Sequence, residues 1–251
     1  MTPEELHNIY RSEDKFWWYR GMRSITRALL DPLLKQGTDR GLDAGCGTGH
    51  NALEWERLYG VQMYGIDRAP LAIQYCWKKS FSRSCVASVV QLPFADHCFD
   101  WVVSLEVLSH LAPGEDSRTL EELARVLRPG GWLFLRLPAF PMLRSRHSQW
   151  IGEQHRYRAG ELLDKLTASR FQVIRWTYAN SLLLPVAWLK FRIWENLFQK
   201  EPQSGVAQIP PAWLNGLLLS ILKLEAVWIR AGFSFPFGQS LMVLARAPAR
   251  L

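Results

Sequence analysis

Short apolar runs alternate with amphipathic stretches of helical spacing through the middle of this 251-residue chain, an order that predicts an α/β sheet of mostly parallel strands. Strands are expected near 40–43, 61–66, 84–89, 99–105 and 132–137, followed by a helix over Ala159–Ser169 and a sixth strand over Phe171–Tyr178. The last strand, a clear apolar run, is Ser240–Arg246. About sixty residues lie between the last two strands, far beyond the roughly 2 to 5 of a hairpin loop.

That long connection carries two helical patterns, Ser181–Phe198 and Pro211–Arg230, the second with Leu214, Leu217, Leu218, Ile221, Leu222 and Glu225 at helical spacing. A charge interrupts each apolar run before the roughly 18 residues needed to span a bilayer, so both are expected as cap or interfacial helices. At the other end, Glu4–Arg11 and Arg23–Leu34 read as helices joined by the aromatic linker Phe16-Trp-Trp-Tyr-Arg20. The chain thus reads as one domain over 1–251, with an N-terminal helical lid over 1–36 and a helical cap over 180–237.

The candidate chemistry begins directly after the first strand, where Asp43-Ala-Gly45-Cys-Gly47-Thr-Gly49 sets an acid before three glycines at alternate positions. Such glycines let the backbone turn sharply and let a ligand lie against main-chain atoms. The spacing does not fit the G-x-G-x-x-G of dinucleotide folds, and no Gly-Lys-Ser/Thr phosphate loop follows. Asp67 ends the second strand about 20 residues later, where α/β folds place a carboxylate on a ribose diol. Next come Leu92-Pro-Phe-Ala-Asp-His-Cys-Phe-Asp100, running into a strand, and Arg125-Val-Leu-Arg-Pro-Gly-Gly131, a helix end and turn ahead of another.

These four motifs, in this order over residues 40–137, resemble those of the class I S-adenosylmethionine-dependent methyltransferases, in particular the methyltransferase type 11-like small-molecule family. The resemblance implies a Rossmann-like, seven-stranded, mostly parallel sheet with an antiparallel last strand. N-terminal helices and a helical insertion between strands 6 and 7 are added to that plan here. S-adenosylmethionine is the implied cofactor, with Asp43, Gly45, Gly47, Gly49, Asp67, Arg68, Ser88, Val89, Ser104 and Leu105 around it. Where the family commonly carries an aspartate for the adenine amino group, this chain has Ser88, whose hydroxyl can still accept a hydrogen bond. The leading helices would roof the site with Trp17, Trp18 and Tyr19, and Arg23 would pair with the cofactor's carboxylate.

Because a sulfonium is already activated, alignment of the acceptor and exclusion of water matter more than a strong base. The candidate bases are His155 and His110, with Glu106 and Glu153 ranked behind them; Trp18, Tyr19, His147 and Tyr157 are expected to face the substrate. No Asn/Asp-Pro-Pro-Tyr/Phe or Pro-Cys segment follows the fourth strand, and no cluster suggests a catalytic metal. The best fit is a hydrophobic, amphiphilic or lipid-linked small molecule methylated at oxygen. An RNA methyltransferase and a non-catalytic cofactor-binding partner protein are the alternatives.

Charge sharpens the picture only in part. The net charge is +7, and Arg136–Lys200 alone holds eleven Arg/Lys against four Asp/Glu. Such a basic region suits an anionic partner, whether nucleic acid, a phosphorylated substrate or anionic lipid, or is simply a solvated face. The acidic opening Met-Thr-Pro-Glu-Glu is unlike a secretory leader, and the four cysteines show no C-x-x-C pairing. A cytoplasmic protein without structural zinc is expected, with peripheral membrane contact suggested by Trp- and Leu-rich helices beside the basic region.

Overall fold

The computed structural model describes residues 2–34, 40–198 and 201–249. Residues 1 and 35–36 of the expected lid and 199–200 of the expected cap lie outside them. Seven strands form one sheet: β1 (Arg40–Ala44), β2 (Gln62–Asp67), β3 (Ser84–Val86), β4 (Phe99–Leu105), β5 (Leu127–Pro138), β6 (Gln172–Ala179) and β7 (Ser240–Arg246). Their spatial order is β3-β2-β1-β4-β5-β7-β6. All pairings are parallel except those of β7, which runs antiparallel between β5 and β6. The strand order reverses between β1 and β4, and α/β folds bind ligands in the crevice at such a switch point.

The expected third strand is shortened at its end. Beyond Val86 the Ala87 amide still reaches the Asp67 carbonyl, but Ser88 then turns back to bridge Gln91 and the chain leaves the sheet. The aromatic segment is also not a linker. The first helix, α1 (Pro3–Ser12), is followed by α2 (Trp17–Leu34), so Trp17, Trp18 and Tyr19 form the first turn of α2.

One face of the sheet is covered by α2, α3 (His50–Tyr59), α4 (Pro70–Lys78) and α10 (Ala212–Arg230), which bury Met22, Ile25, Trp55, Ile73, Leu222 and Ile229 against Met63, Trp101 and Met242. The other carries α5 (Glu115–Val126) and α7 (Ala159–Ala168), with Leu120, Leu123, Leu162 and Leu166 on Leu133, Leu135 and Val243. After β5 comes the short α6 (Arg146–Trp150). The insertion after β6 holds α8 (Leu184–Leu189), a π-helical turn (Lys190–Trp194) and α9 (Glu195–Phe198) before α10.

The helix α10 therefore belongs to the sheet's own layer and is not a free cap. It is also, at 19 residues, long and apolar enough by length and composition to cross a membrane, contrary to the sequence expectation. Its inner face is nonetheless committed: Leu219, Leu222, Ala226 and Ile229 are buried. Glu225, fully buried at mid-helix, accepts the Leu182 amide at 2.8 Å and so holds the exit of β6. Burial raises the pKa of its carboxyl.

The tightest contact in this layer is between α2 and α10. A Cβ on Gly21 would lie 2.6 Å from the Cβ of Leu222, so only glycine lets the two backbones approach this closely. Asn215 ties the same helices at their ends, accepting from the Trp17 amide and donating to the Lys15 carbonyl, both at 2.9 Å. Gly21→Ala is expected to destabilise by about 1–3 kcal/mol through overpacking, although alanine is otherwise favoured in a helix by about 1 kcal/mol. Denaturant unfolding of Gly21→Ala checks this, and a variant as stable as the wild-type protein, or more stable, would disprove the clash.

Candidate active site

The carboxyl ends of β1, β2, β4 and β5 meet at the switch point and bring four charged side chains together. Asp43 ends β1 and is 1% exposed, and one of its oxygens, Oδ2, is buried with no hydrogen-bond partner among the described residues. Burial, with the nearby Asp67 charge, pushes its pKa up to about 7, against the opposing influence of Arg136. Asp67 accepts from the Gly47 amide at 3.0 Å and the Ala69 amide at 2.9 Å, so it fixes the loop as well as facing the crevice. Gly45 takes φ +96°, and a Cβ there would collide with Val107; around Gly47, by contrast, a Cβ would meet open space.

The third and fourth groups were less legible. Glu106 follows β4 with φ +62°, a left-handed conformation rare for a non-glycine residue. Its amide donates to the Arg136 carbonyl at 2.7 Å, and its carboxylate accepts from Arg136 Nε at 2.8 Å. Burial raises the Glu106 pKa while the guanidinium opposes the shift. Arg136, on β5, is itself buried, and its guanidinium lies 5.3 Å from the Trp18 ring centroid. Tyr19, whose pKa burial raises far above the usual phenol value, lies within electrostatic reach of both.

The N-terminal helices are pinned to the glycine loop. Glu13, 4% exposed, accepts from the Thr48 hydroxyl at 2.7 Å and pairs with Lys79, and Asp14 pairs with His50 at 3.2 Å. Arg23 is placed in an ion pair with Glu54 at 3.1 Å and donates to the Glu13 carbonyl. These bonds use its Nε and Nη2 to hold α2 on α3, and the expected contact of Arg23 with the cofactor's carboxylate stays an expectation.

The remaining expected residues divide. Gly49 precedes α3 as its cap, and Ser104 donates to the Ala44 carbonyl at 2.9 Å, tying β4 to β1. Leu105 is half-buried at the end of β4, Ser88 and Arg68 are exposed, and Val89 is buried. His110 sits in the turn after β4, its Nδ1 3.4 Å from the Gly152 carbonyl and its pKa lowered chiefly by burial. His155 Nε2 lies 2.7 Å from a Glu161 carboxylate oxygen at the surface, and its amide donates to the Ser109 carbonyl at 3.1 Å. Tyr157 is 1% exposed with its hydroxyl on Asp116, a core position that does not face a substrate. His147 Nδ1 accepts from the Gly205 amide at 2.9 Å, joining α6 to the insertion. Glu153 pairs with Arg156 at 2.6 Å and is likewise structural. Among the described residues no group of His, Cys, Asp and Glu could hold a metal.

An orphaned, buried carboxylate oxygen beside an open glycine loop is what a ligand bearing an amine would complete. Residues 42–135 match the family model described as a methyltransferase domain. That segment, which carries the glycine loop and Asp67, is thus a methyltransferase domain. Among curated relatives, O-methyltransferase resE of Aspergillus sclerotiorum is 39% identical over 37% of this chain and 37% of its own. A probable tRNA methyltransferase 9B of Homo sapiens is 28% identical over 59% of this chain and 32% of its own. The chain spans between about a third and a half of the length of the first relatives it matches. A SAM-dependent methyltransferase from Archaeoglobus fulgidus shares the fold, with TM-score 0.58 and 18% identity over 90% of this chain and 94% of that one.

Asp43, the glycine loop and Asp67 fit S-adenosylmethionine, and two variants probe them. Asp67→Ala removes acceptors for two loop amides and the expected ribose contact, so S-adenosylhomocysteine affinity should fall at least roughly tenfold in calorimetry. For Asp43, a folded pKa above the unfolded one means that the native state holds the extra proton, so its contribution to stability falls as pH rises from 3.8 towards about 7. Asp43→Asn should therefore gain stability over the wild-type protein between about pH 5 and about pH 7, by at most about 1.4 kcal/mol per pH unit. Urea unfolding of both apoproteins measures it, and parallel pH profiles would exclude the assignment.

Proposed function

We propose that this methyltransferase transfers a methyl group to an oxygen of a hydrophobic or amphiphilic small molecule, seated on the Glu106–Arg136 pair beneath Trp18 and Tyr19. The observation that carries the reading is this pair: an ion pair at the ends of adjacent strands, beside Asp43, with an indole over the guanidinium. The name of the resE relative supports oxygen as the methylated atom.

S-adenosylmethionine, when bound, supplies a methyl group already activated as a sulfonium. The chain's own task is then to align the acceptor and keep water out. Glu106 is the group best placed to accept a hydrogen bond, and then the proton, from an acceptor hydroxyl, because its raised pKa brings it closer to that task. Arg136 holds the carboxylate in place, and the aromatic first turn of α2 closes the apolar side. His110, whose pKa burial lowers, is the second candidate base.

The insertion supplies the other wall. Its first part is a strap: it leaves β6 where Leu182 meets Glu225 and is pinned beyond the sheet, where buried Glu195 accepts the Arg146 amide at 2.8 Å. Removal of the whole insertion would take α10 out of the core, so the informative change replaces only the strap, residues 184–204, with a short flexible segment. That change should raise KM for the acceptor while sparing cofactor binding.

Transfer of radiolabelled methyl groups to amphiphilic hydroxyl-bearing compounds and, in parallel, to total RNA tests the proposal. Glu106→Gln is expected to lower kcat about 100-fold with unchanged S-adenosylhomocysteine affinity, the range of a lost general base. Incorporation into RNA alone, or full turnover by Glu106→Gln, would refute it.

A further inference from the structure

The outer surface of the insertion is apolar to an extent that neither the fold nor the site uses. On α10 the side away from α2 presents Trp213, Leu217, Leu224, Val227 and Trp228, with Trp213 71% and Val227 66% exposed. Trp213, Leu217, Leu224 and Trp228 are four, seven and four residues apart, with Val227 beside them, so they form one stripe along the helix. On the strap, Val186, Trp188, Leu189, Ile193, Trp194, Leu197 and Phe198 are exposed. Leu189, Lys190, Ile193, Trp194 and Phe198 line an open groove of about 490 Å³.

A helix apolar on all sides is normally buried on all sides, and a large exposed apolar patch marks a binding surface. Charge narrows what covers it. Of the described carboxylates in the insertion, Glu195 and Glu225 are buried and accept backbone amides, leaving Glu201 on the surface. Lys190 and Lys223 are exposed on the same helical segments as the apolar residues. A symmetric dimer through this surface would set these two cations near their own copies with Glu201 as the one surface carboxylate of the described insertion to set against them. A span by α10 would strip Leu222 and Ile229 from the sheet. A flat anionic surface with an apolar interior matches both features: tryptophan, leucine and phenylalanine enter the headgroup boundary while lysines meet phosphates.

We propose that the strap and the outer face of α10 dock this protein peripherally on an anionic lipid bilayer. Each cation near such a surface contributes about 1 kcal/mol, so two lysines account for a change of about tenfold or more in partitioning. This docking is independent of which acceptor is methylated.

Co-sedimentation of the full chain with vesicles of phosphatidylcholine alone, and of phosphatidylcholine mixed equally with phosphatidylglycerol, tests it at low and moderate salt. Binding to the mixed vesicles is expected, weakened by salt and at least about tenfold weaker on neutral vesicles. The double variant Lys190→Glu/Lys223→Glu should lose about tenfold or more, and Trp194→Ala/Leu224→Ser should also lose binding. Every altered side chain is exposed, so thermal unfolding and S-adenosylhomocysteine affinity should not change; a variant that fails that check is replaced by its single substitutions. Three outcomes overturn the proposal: no binding to anionic vesicles at low salt, binding that charge reversal leaves intact, or dimerisation in sedimentation equilibrium that the apolar variant abolishes while vesicles capture nothing.

Discussion

The seating of Leu222 in the notch that Gly21 leaves in α2 is the contact on which the rest of the architecture depends. It joins segments about 200 residues apart and makes the insertion part of the sheet's helical layer. Once α10 lies along α2, the first turn of α2 is fixed over the ends of β4 and β5, which is how Trp18 comes to lie over Arg136. The same placement gives α10 an outer face that nothing in the described chain covers. One packing constraint thus positions an aromatic roof over the crevice and leaves an apolar stripe on the surface.

The crevice itself is an electrostatic compromise. Three carboxylates, Asp43, Asp67 and Glu106, converge where burial disfavours their ionised forms, and their pKa values are raised. Arg136, facing Glu106 and acting on Asp43, opposes this shift at two of the three. A carboxylate-rich pocket favours a cationic ligand on the Asp43 side. Glu106 pays for this arrangement with a left-handed backbone, and non-glycine strain of this kind concentrates at functional sites.

Much of this was legible in the sequence because the signals were local. A glycine loop after a strand, an acid ending the next strand and a Pro-Gly-Gly turn each specify backbone geometry within a few residues, and the sheet follows from them. Long-range relations were not legible. Nothing near Glu13 announces that it will reach Thr48 and Lys79, and nothing near Glu5 foretells the bond from Trp150 at 3.2 Å. The aromatic run at 16–20 looked like a linker because its bulk hid the helix that Gly21 and Leu222 stabilise. Tyr157 and His155 are chemical residue types, yet Tyr157 packs in the core and His155 bonds Glu161 at the surface. Arg136 did leave a trace: a lone charge in the apolar strand Trp132-Leu-Phe-Leu-Arg-Leu137 must find a partner when buried, and adjacent Glu106 was already weighed for its own chemistry.

The insertion shows why burial must be read separately for each face of a helix. Averaged along its length, α10 is apolar enough to cross a bilayer, and by spacing alone it is an amphipathic cap. Neither description survives the packing. Leu222 and Ile229 are fully buried, and Glu225 takes in the exit of β6, so one face is an ordinary core surface. The opposite face is no more polar, and yet it has no counterpart in the sheet. A helix with two apolar faces needs two partners, and the described chain provides one; the cations beside the second face are the ground for proposing a lipid surface as the other.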